Sequence, residues 1–363
     1  SSAAAIMSSL KMDDSSLKMS ATHVKDLFIR VDDPEKHVGG YVSYNVITKT
    51  TRNQFDHPEY SVRRRYQDFL WLRQRMQESY PTHIIPPLPE KHSFTKHFDR
   101  FSPEFLKARE LALNKFMTRI ADHPVMSFND HLHVFLTAKS WELTSVKKQG
   151  PGLMSRMSDS MRNMASSWML KSRDPEFQEM TEYTKTFREK MMPWKQYLIR
   201  LQRTGLVYLL EHYLEFIPIF RLWANSETKL ASPLNAMADA LDMNVAALKK
   251  LLKAQDPMFM EPLREYVLYT DSIRNAMKSR DTVQMEYEVT LEELARKRTE
   301  KEELGKLAET GNDKMECANV DLKADLERWH KHKQEDFRDL FMDYADRHTA
   351  YYQECLTAWQ SVL

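Results

Sequence analysis

From Pro175 to Leu363 apolar residues keep recurring at helical spacing, and beyond residue 152 the chain holds only three glycines, Gly205, Gly305 and Gly311. A first segment, about Pro175 to Asn225, contains Pro193 and Pro218; apolar spacing resumes after each, which predicts bends rather than ends. A second segment opens at Ser232-Pro233, a cap followed by a first-turn proline, and reaches about Leu307 with bends near Pro257 and Pro262. Gly311-Asn312 predicts a turn. The third segment carries Leu322, Leu326, Trp329, Phe337, Leu340, Tyr344, Tyr351, Cys355, Trp359 and Val362, with polar Lys333 and His348 in its two remaining slots. Its steps of 4 and 3 average close to the eleven-residue repeat that keeps bundled helices nearly straight. A helix of some fifty residues is roughly 75 Å long, so three such stripes cannot be hidden inside a globule. An elongated antiparallel three-helix coiled coil is the remaining solution. The large residues of its first segment, Trp194, Tyr197, Tyr208, Tyr213, Phe216, Phe220 and Trp223, point to burial against a second subunit.

The first half has a different grammar. Leu27–Val31 leads through Gly39-Gly40 into the β-branched and aromatic run Tyr41–Thr48, and a third strand ends at Arg65, predicting a small antiparallel sheet capped by helices. Net charge is +1 overall but unevenly divided: residues 1–175 hold 26 basic and 19 acidic side chains (+7), residues 176–363 hold 27 and 33 (−6). An anionic partner is therefore expected on the first half.

At Arg63-Arg64-Arg65-Tyr66-Gln67-Asp68-Phe69 the period changes from two to 3.6. In a strand Arg63 and Arg65 share one face and Arg64 points the other way, so a guanidinium stands beside the first turn of a helix, where an anion is favoured. Downstream, Pro86-Pro87-Leu88-Pro89-Glu90-Lys91 is stiff and extended. Ser102-Pro103 then opens a helix with Phe105, Leu106, Leu113, Phe116 and Ile120 on its apolar side and Arg109 in its middle.

A basic pair followed by an aromatic, a proline-rich loop ending in lysine, and a later helix arginine resemble the phox-homology (PX) domain, over roughly residues 24 to 140. The resemblance implies that Arg65 holds the 3-phosphate of a phosphatidylinositol headgroup and that Tyr66 lies against the inositol ring. It also implies that Lys91 meets the phosphate joining ring to lipid and that Arg109 bonds ring hydroxyls. In that family the loop after the prolines dips into the bilayer. Phe94 or Phe98 beside Lys96 suits such an anchor, and equally suits closing the small core.

Residues 1–22 read as a disordered leader, 23–140 as the PX domain, 141–174 as a linker and 175–363 as the coiled coil. Within the linker Leu153, Met157, Met161, Met164 and Trp168 fall on one stripe of an amphipathic helix. It is open to membrane insertion, with Arg156 and Arg162 beside it, or to packing on the next domain. A three-helix, proline-bent, elongated dimer after a PX domain and an amphipathic linker resembles the BAR domain of the sorting nexins, with wording closest to the branch of sorting nexins seven and thirty. The whole chain is thus expected to be an α+β PX domain followed by an all-α elongated BAR coiled coil.

The resemblance implies a curvature-responsive protein that binds phosphatidylinositol 3-phosphate on the cytosolic face of early and recycling endosomes, acting in sorting, recycling and autophagy-related trafficking. Its partners would be a second copy or another BAR sorting nexin, with sorting nexin four expected. The alternative is a coiled-coil scaffold or adaptor whose PX domain is a protein-interaction module.

Other classes fit less well. No Gly-rich phosphate loop, nucleophile elbow or paired histidine and carboxylate motif is present, so no enzyme or cofactor is expected. His131/His133 and His330/His332 stand two apart on predicted helices, diverge by about 200° and cannot share an ion, so no metal is expected. An acidic helical half argues against nucleic acid. No run of about twenty apolar residues appears. Cys317 and Cys355 lie far apart in a helical pattern, which fits a reducing compartment, the cytoplasm.

Overall fold

The computed structural model describes residues 25–91, 101–148, 173–255, 259–296 and 301–363. The expected leader, Phe94 and Phe98, and the stripe of Leu153, Met157, Met161, Met164 and Trp168 lie outside the described residues. Strands β1 (Leu27–His37), β2 (Tyr41–Thr50) and β3 (Glu59–Arg65) form an antiparallel sheet in chain order. Gly40, at φ 68°, closes the first turn. Asp33, at φ 48°, sits where the β1–β2 register shifts between Asp32 and Glu35. Helices α1 (Tyr66–Ser79), α2 (Pro103–Ala121), α3 (Asp130–Thr137) and α4 (Ser140–Lys148) follow. Ser102 caps α2 by accepting the Phe105 amide, ahead of Pro103 in the first turn. The sheet's inner residues Ile29, Val31, Tyr44 and Val46 pack with Phe69, Leu72, Leu113, Phe116 and Phe135 into one core.

The second half is three rods. The first joins α5 (Pro175–Arg200) to α6 (Val207–Ser226) through a π-helical turn at Leu201–Leu206. Pro193 and Pro218 lie inside these helices and interrupt neither. The second rod is α7 (Ala231–Gln255) and α8 (Glu261–Arg296), and the third is α9 (Lys301–Gln360). With 60 residues, α9 is about 90 Å long at 1.5 Å per residue.

One expected turn is absent. Helix α9 runs unbroken through Gly311-Asn312, from Lys301 to Gln360. Gly311 serves packing instead: a Cβ there would lie 3.2 Å from the Tyr287 ring and 3.7 Å from that residue's Cα. The glycine lets α8 and α9 approach closely, which sequence alone does not distinguish from a turn.

Leu322, Leu326, Trp329, Leu340 and Tyr351 of the α9 ladder are buried. Lys333 tolerates its core slot because its ammonium lies 4.8, 5.4 and 4.6 Å from the Tyr183, Phe187 and Trp329 ring centres. Other large apolar residues have no cover among the described residues: Tyr197, Phe216, Leu222, Trp223, Met342 and Tyr352 are each about half exposed or more. This leaves uncovered apolar margins on α5, α6 and α9.

Candidate functional site

The three consecutive arginines at the end of β3 have three different fates, set by strand alternation. Arg64 turns inward and is 1% exposed; its Nε donates to the Phe135 carbonyl at 2.8 Å, and it also donates to the Ala138 carbonyl. Burial pushes its pKa down to about 10. Arg63 is neutralised by Asp33 and Glu35 at 2.8 and 2.6 Å. Arg65 is exposed, and its guanidinium lies 3.5 Å from the Tyr41 ring centre. No carboxylate lies within ion-pair distance of that guanidinium among the described residues.

Tyr66 begins α1 and donates its hydroxyl proton to the Pro89 carbonyl. Arg109, from the middle of α2, is 9% exposed and donates to the carbonyls of Glu90 and Lys91 at 3.2 and 2.9 Å. Its guanidinium lies 4.5 Å from the Tyr66 ring centre and 4.3 Å from that of Phe105. Burial lowers the pKa of Arg109, and its Nε has no partner among the described residues. The fold thus gathers Tyr66, Lys91 and Arg109 at one end of the proline-rich loop, with Arg65 next to Tyr66. One face of Tyr66, expected to meet a sugar ring, is occupied by the Arg109 guanidinium.

The other end of that loop grips the rods. Asp325 of α9, 4% exposed, accepts from the Ile84 amide at 2.8 Å, His83 Nδ1 at 3.0 Å and His123 Nε2 at 2.8 Å. Arg328 adds a bond at 2.7 Å. Burial alone would raise the Asp325 carboxyl, but the hydrogen bonds from His123 and His83 hold it below its ordinary range. Nearby, Arg119 bonds Glu265 at 3.3 Å and pairs with Asp336, which also accepts from Lys115 at 3.0 Å and Tyr266 at 2.6 Å. Arg73 of α1 donates to the Pro86 carbonyl at 3.0 Å and to Ser272 of α8 at 3.2 Å. Ile84 joins the rod core beside Phe177, Tyr266 and Trp329. None of the polar groups that cross this seam stands out in the sequence, since each of their pairings spans more than a hundred residues.

His83, His123 and Asp325 place one potential metal-ligand atom each within 4.8 Å of one another. Their hydrogen bonds commit them otherwise. His123 Nδ1 accepts the Val125 and Met126 amides at 3.2 and 3.1 Å, so its proton sits on Nε2 and points at Asp325. The Arg328 guanidinium, 3.4 Å from that same nitrogen, opposes a second cation. The His131/His133 pair diverges as its spacing requires: His131 meets Trp71 edge-on and His133 packs on Phe55.

A small sheet-and-helix unit docked on three helical rods defines the class of protein. The PX domain family matches residues 52–139, and the family described as Vps5 C terminal like matches residues 153–324. Sorting nexin-30 of Xenopus tropicalis is 44% identical over 365 residues, covering 100% of this chain and 80% of that protein. Sorting nexin-7 of Homo sapiens is 42% identical over 348 residues, covering 94% and 89%. The cryo-EM structure of the SNX-BAR Mvp1 tetramer shares the fold, with a TM-score of 0.63 over 92% of this chain and 99% of that chain at 17% identity. The chain belongs to the sorting nexin family, with a PX domain and a BAR-like helical region, which sets it in membrane trafficking. No helix among the described residues is long and apolar enough to cross a membrane.

Proposed function

We propose that this chain is a peripheral membrane protein that recognises phosphatidylinositol 3-phosphate on the cytosolic face of early and recycling endosomes. Arg65 takes the 3-phosphate, Tyr66 supports the inositol ring, Lys91 meets the diester phosphate and Arg109 bonds ring hydroxyls. The observation that carries the reading is Arg65 itself: an exposed guanidinium with no carboxylate partner among the described residues, beside a loop already ordered by Tyr66 and Arg109. Two neighbouring arginines are consumed by the fold, so the free one is the anion receptor. Losing one charge-assisted contact costs about 1.5–3 kcal/mol. Arg65→Gln is therefore expected to weaken binding to liposomes containing the 3-phosphate lipid at least tenfold, and undiminished binding would refute the assignment.

The apolar margins of α5, α6 and α9 support pairing of rods from two chains, either two copies or one copy with another BAR sorting nexin, sorting nexin four being the expected partner. Pairing doubles the weak headgroup contact on one rigid frame, which raises avidity by about 100-fold or more without new contacts. It also gives the assembly a long surface with which to sense or impose curvature in endosomal sorting, recycling and autophagy-related traffic. The stripe of Leu153, Met157, Met161, Met164 and Trp168, with Phe94 and Phe98, belongs to the same reading as interfacial anchors. Charge substitution at Trp168 is expected to reduce tubulation more than headgroup affinity.

A further inference from the structure

The proline-rich loop is anchored at both ends to different parts of the molecule. At its headgroup end the carbonyls of Pro89, Glu90 and Lys91 accept from Tyr66 and Arg109. At its other end Ile84 N and His83 Nδ1 donate to or share a proton with Asp325, and the Pro86 carbonyl is held by Arg73, which itself leans on Ser272. Between these anchors the flank formed by Pro87, Leu88, Pro89 and Glu90 borders a cleft of about 540 Å³, whose opposite wall is Met192, Lys195, Arg264 and Leu268 of the rods. The loop's side chains are buried on both sides of the seam, Ile85 and Leu88 in the sheet-and-helix core and Ile84 in the rod core, and the polar anchors fix its backbone between them.

We infer that Asp325 of the third rod is a positioning residue for headgroup binding, fixing the Ile84–Lys91 loop so that Lys91 and the carbonyls gripped by Arg109 stand where the lipid phosphate is read. The inference rests on the headgroup reading above and extends it: a residue 234 positions beyond Lys91 in the sequence sets the affinity of a pocket it does not touch. Because Asp325 is buried and accepts four hydrogen bonds, its loss removes one end of a tether whose other end is the site. Coupling between sites is reciprocal, so a headgroup that steadies Lys91 also steadies the Ile84 amide on Asp325.

The test uses the full chain and soluble dibutanoyl phosphatidylinositol 3-phosphate, measured by calorimetry so that membrane avidity plays no part. Asp325→Asn is expected to bind about tenfold more weakly, within the range of ordinary coupling energies. In the unsubstituted chain the lipid should slow hydrogen exchange at the Ile84 amide, and in Asp325→Asn that slowing should disappear. Lys115→Gln, which cuts a seam contact that does not touch the loop, should bind within a factor of two of the unsubstituted chain. Equal affinity of Asp325→Asn and the unsubstituted chain, or an equal loss in Lys115→Gln, overturns the inference and leaves the headgroup reading standing. Failure of the unsubstituted chain to bind overturns the headgroup reading itself. Should Asp325→Asn not fold, Ser272→Ala carries the test: a loss of about threefold is expected from one hydrogen bond, and no loss overturns the inference.

Discussion

Three adjacent arginines with different surroundings separate folding from binding at the scale of one residue. Arg64 satisfies the carbonyls of Phe135 and Ala138 from inside the PX core. Arg64→Gln strands those acceptors and should lower unfolding free energy by about 3 kcal/mol, readable as a lower urea midpoint. Arg65→Gln, at an exposed position, should leave that midpoint unchanged while losing lipid binding. The strand-to-helix switch makes this division legible in the sequence, because period-two alternation dictates which guanidinium faces inward. Asp325, His83, His123 and Arg119 are not legible there. Each resembles an ordinary polar residue on a helix or loop until a fold brings together segments some 150 to 240 residues apart.

At the scale of elements, apolar periodicity is enough to place the three rods, and the resumption of that period after Pro193 and Pro218 is enough to keep both prolines inside helices. Gly311 is ambiguous in sequence because a glycine before asparagine carries the same local signal whether it turns the chain or admits a neighbouring helix. The two glycines of α9 should separate cleanly on substitution. Gly305 has nothing within 4 Å of the position a Cβ would take, so Gly305→Ala should stabilise the rod by about 1 kcal/mol through helix propensity. Gly311→Leu must push against Tyr287 and should cost about 1–3 kcal/mol. Thermal denaturation of both variants checks the pair. A more stable Gly311→Leu would contradict the close approach of α8 and α9.

Across the whole molecule, the PX domain and the rods form a continuous seam of buried ionic groups, and the seam has a pH signature. Burial lowers the pKa of His123, and burial together with Arg119 pushes His332 down to about 4. An unfolded histidine titrates near 6.5. Above that pH neither state carries the extra proton and the fold keeps its full stability. As the pH falls from about 6.5 toward 4, the unfolded chain takes up protons that the fold refuses, so stability drops. Glu265, whose pKa burial raises, works in the opposite sense. The clean readout is therefore a difference: the loss of Tm between pH 7 and pH 5 should be smaller in His332→Gln than in the unsubstituted chain.

The same scale governs assembly. Leu222→Asp and Trp223→Asp on the uncovered apolar margin should shift the mass seen by light scattering toward that of a single chain, without a fall in helix content. The unsubstituted chain should scatter as a pair, alone or mixed with sorting nexin four. A single-chain mass in both conditions would remove the paired-rod part of the proposal.

The most direct measurement of the central claim is a crystal structure of the chain with soluble dibutanoyl phosphatidylinositol 3-phosphate. The 3-phosphate is expected within hydrogen-bond distance of the Arg65 guanidinium, the inositol ring against Tyr66 and the diester phosphate at Lys91. A headgroup bound elsewhere, with Arg65 still stacked on Tyr41 and touching no phosphate, would contradict it.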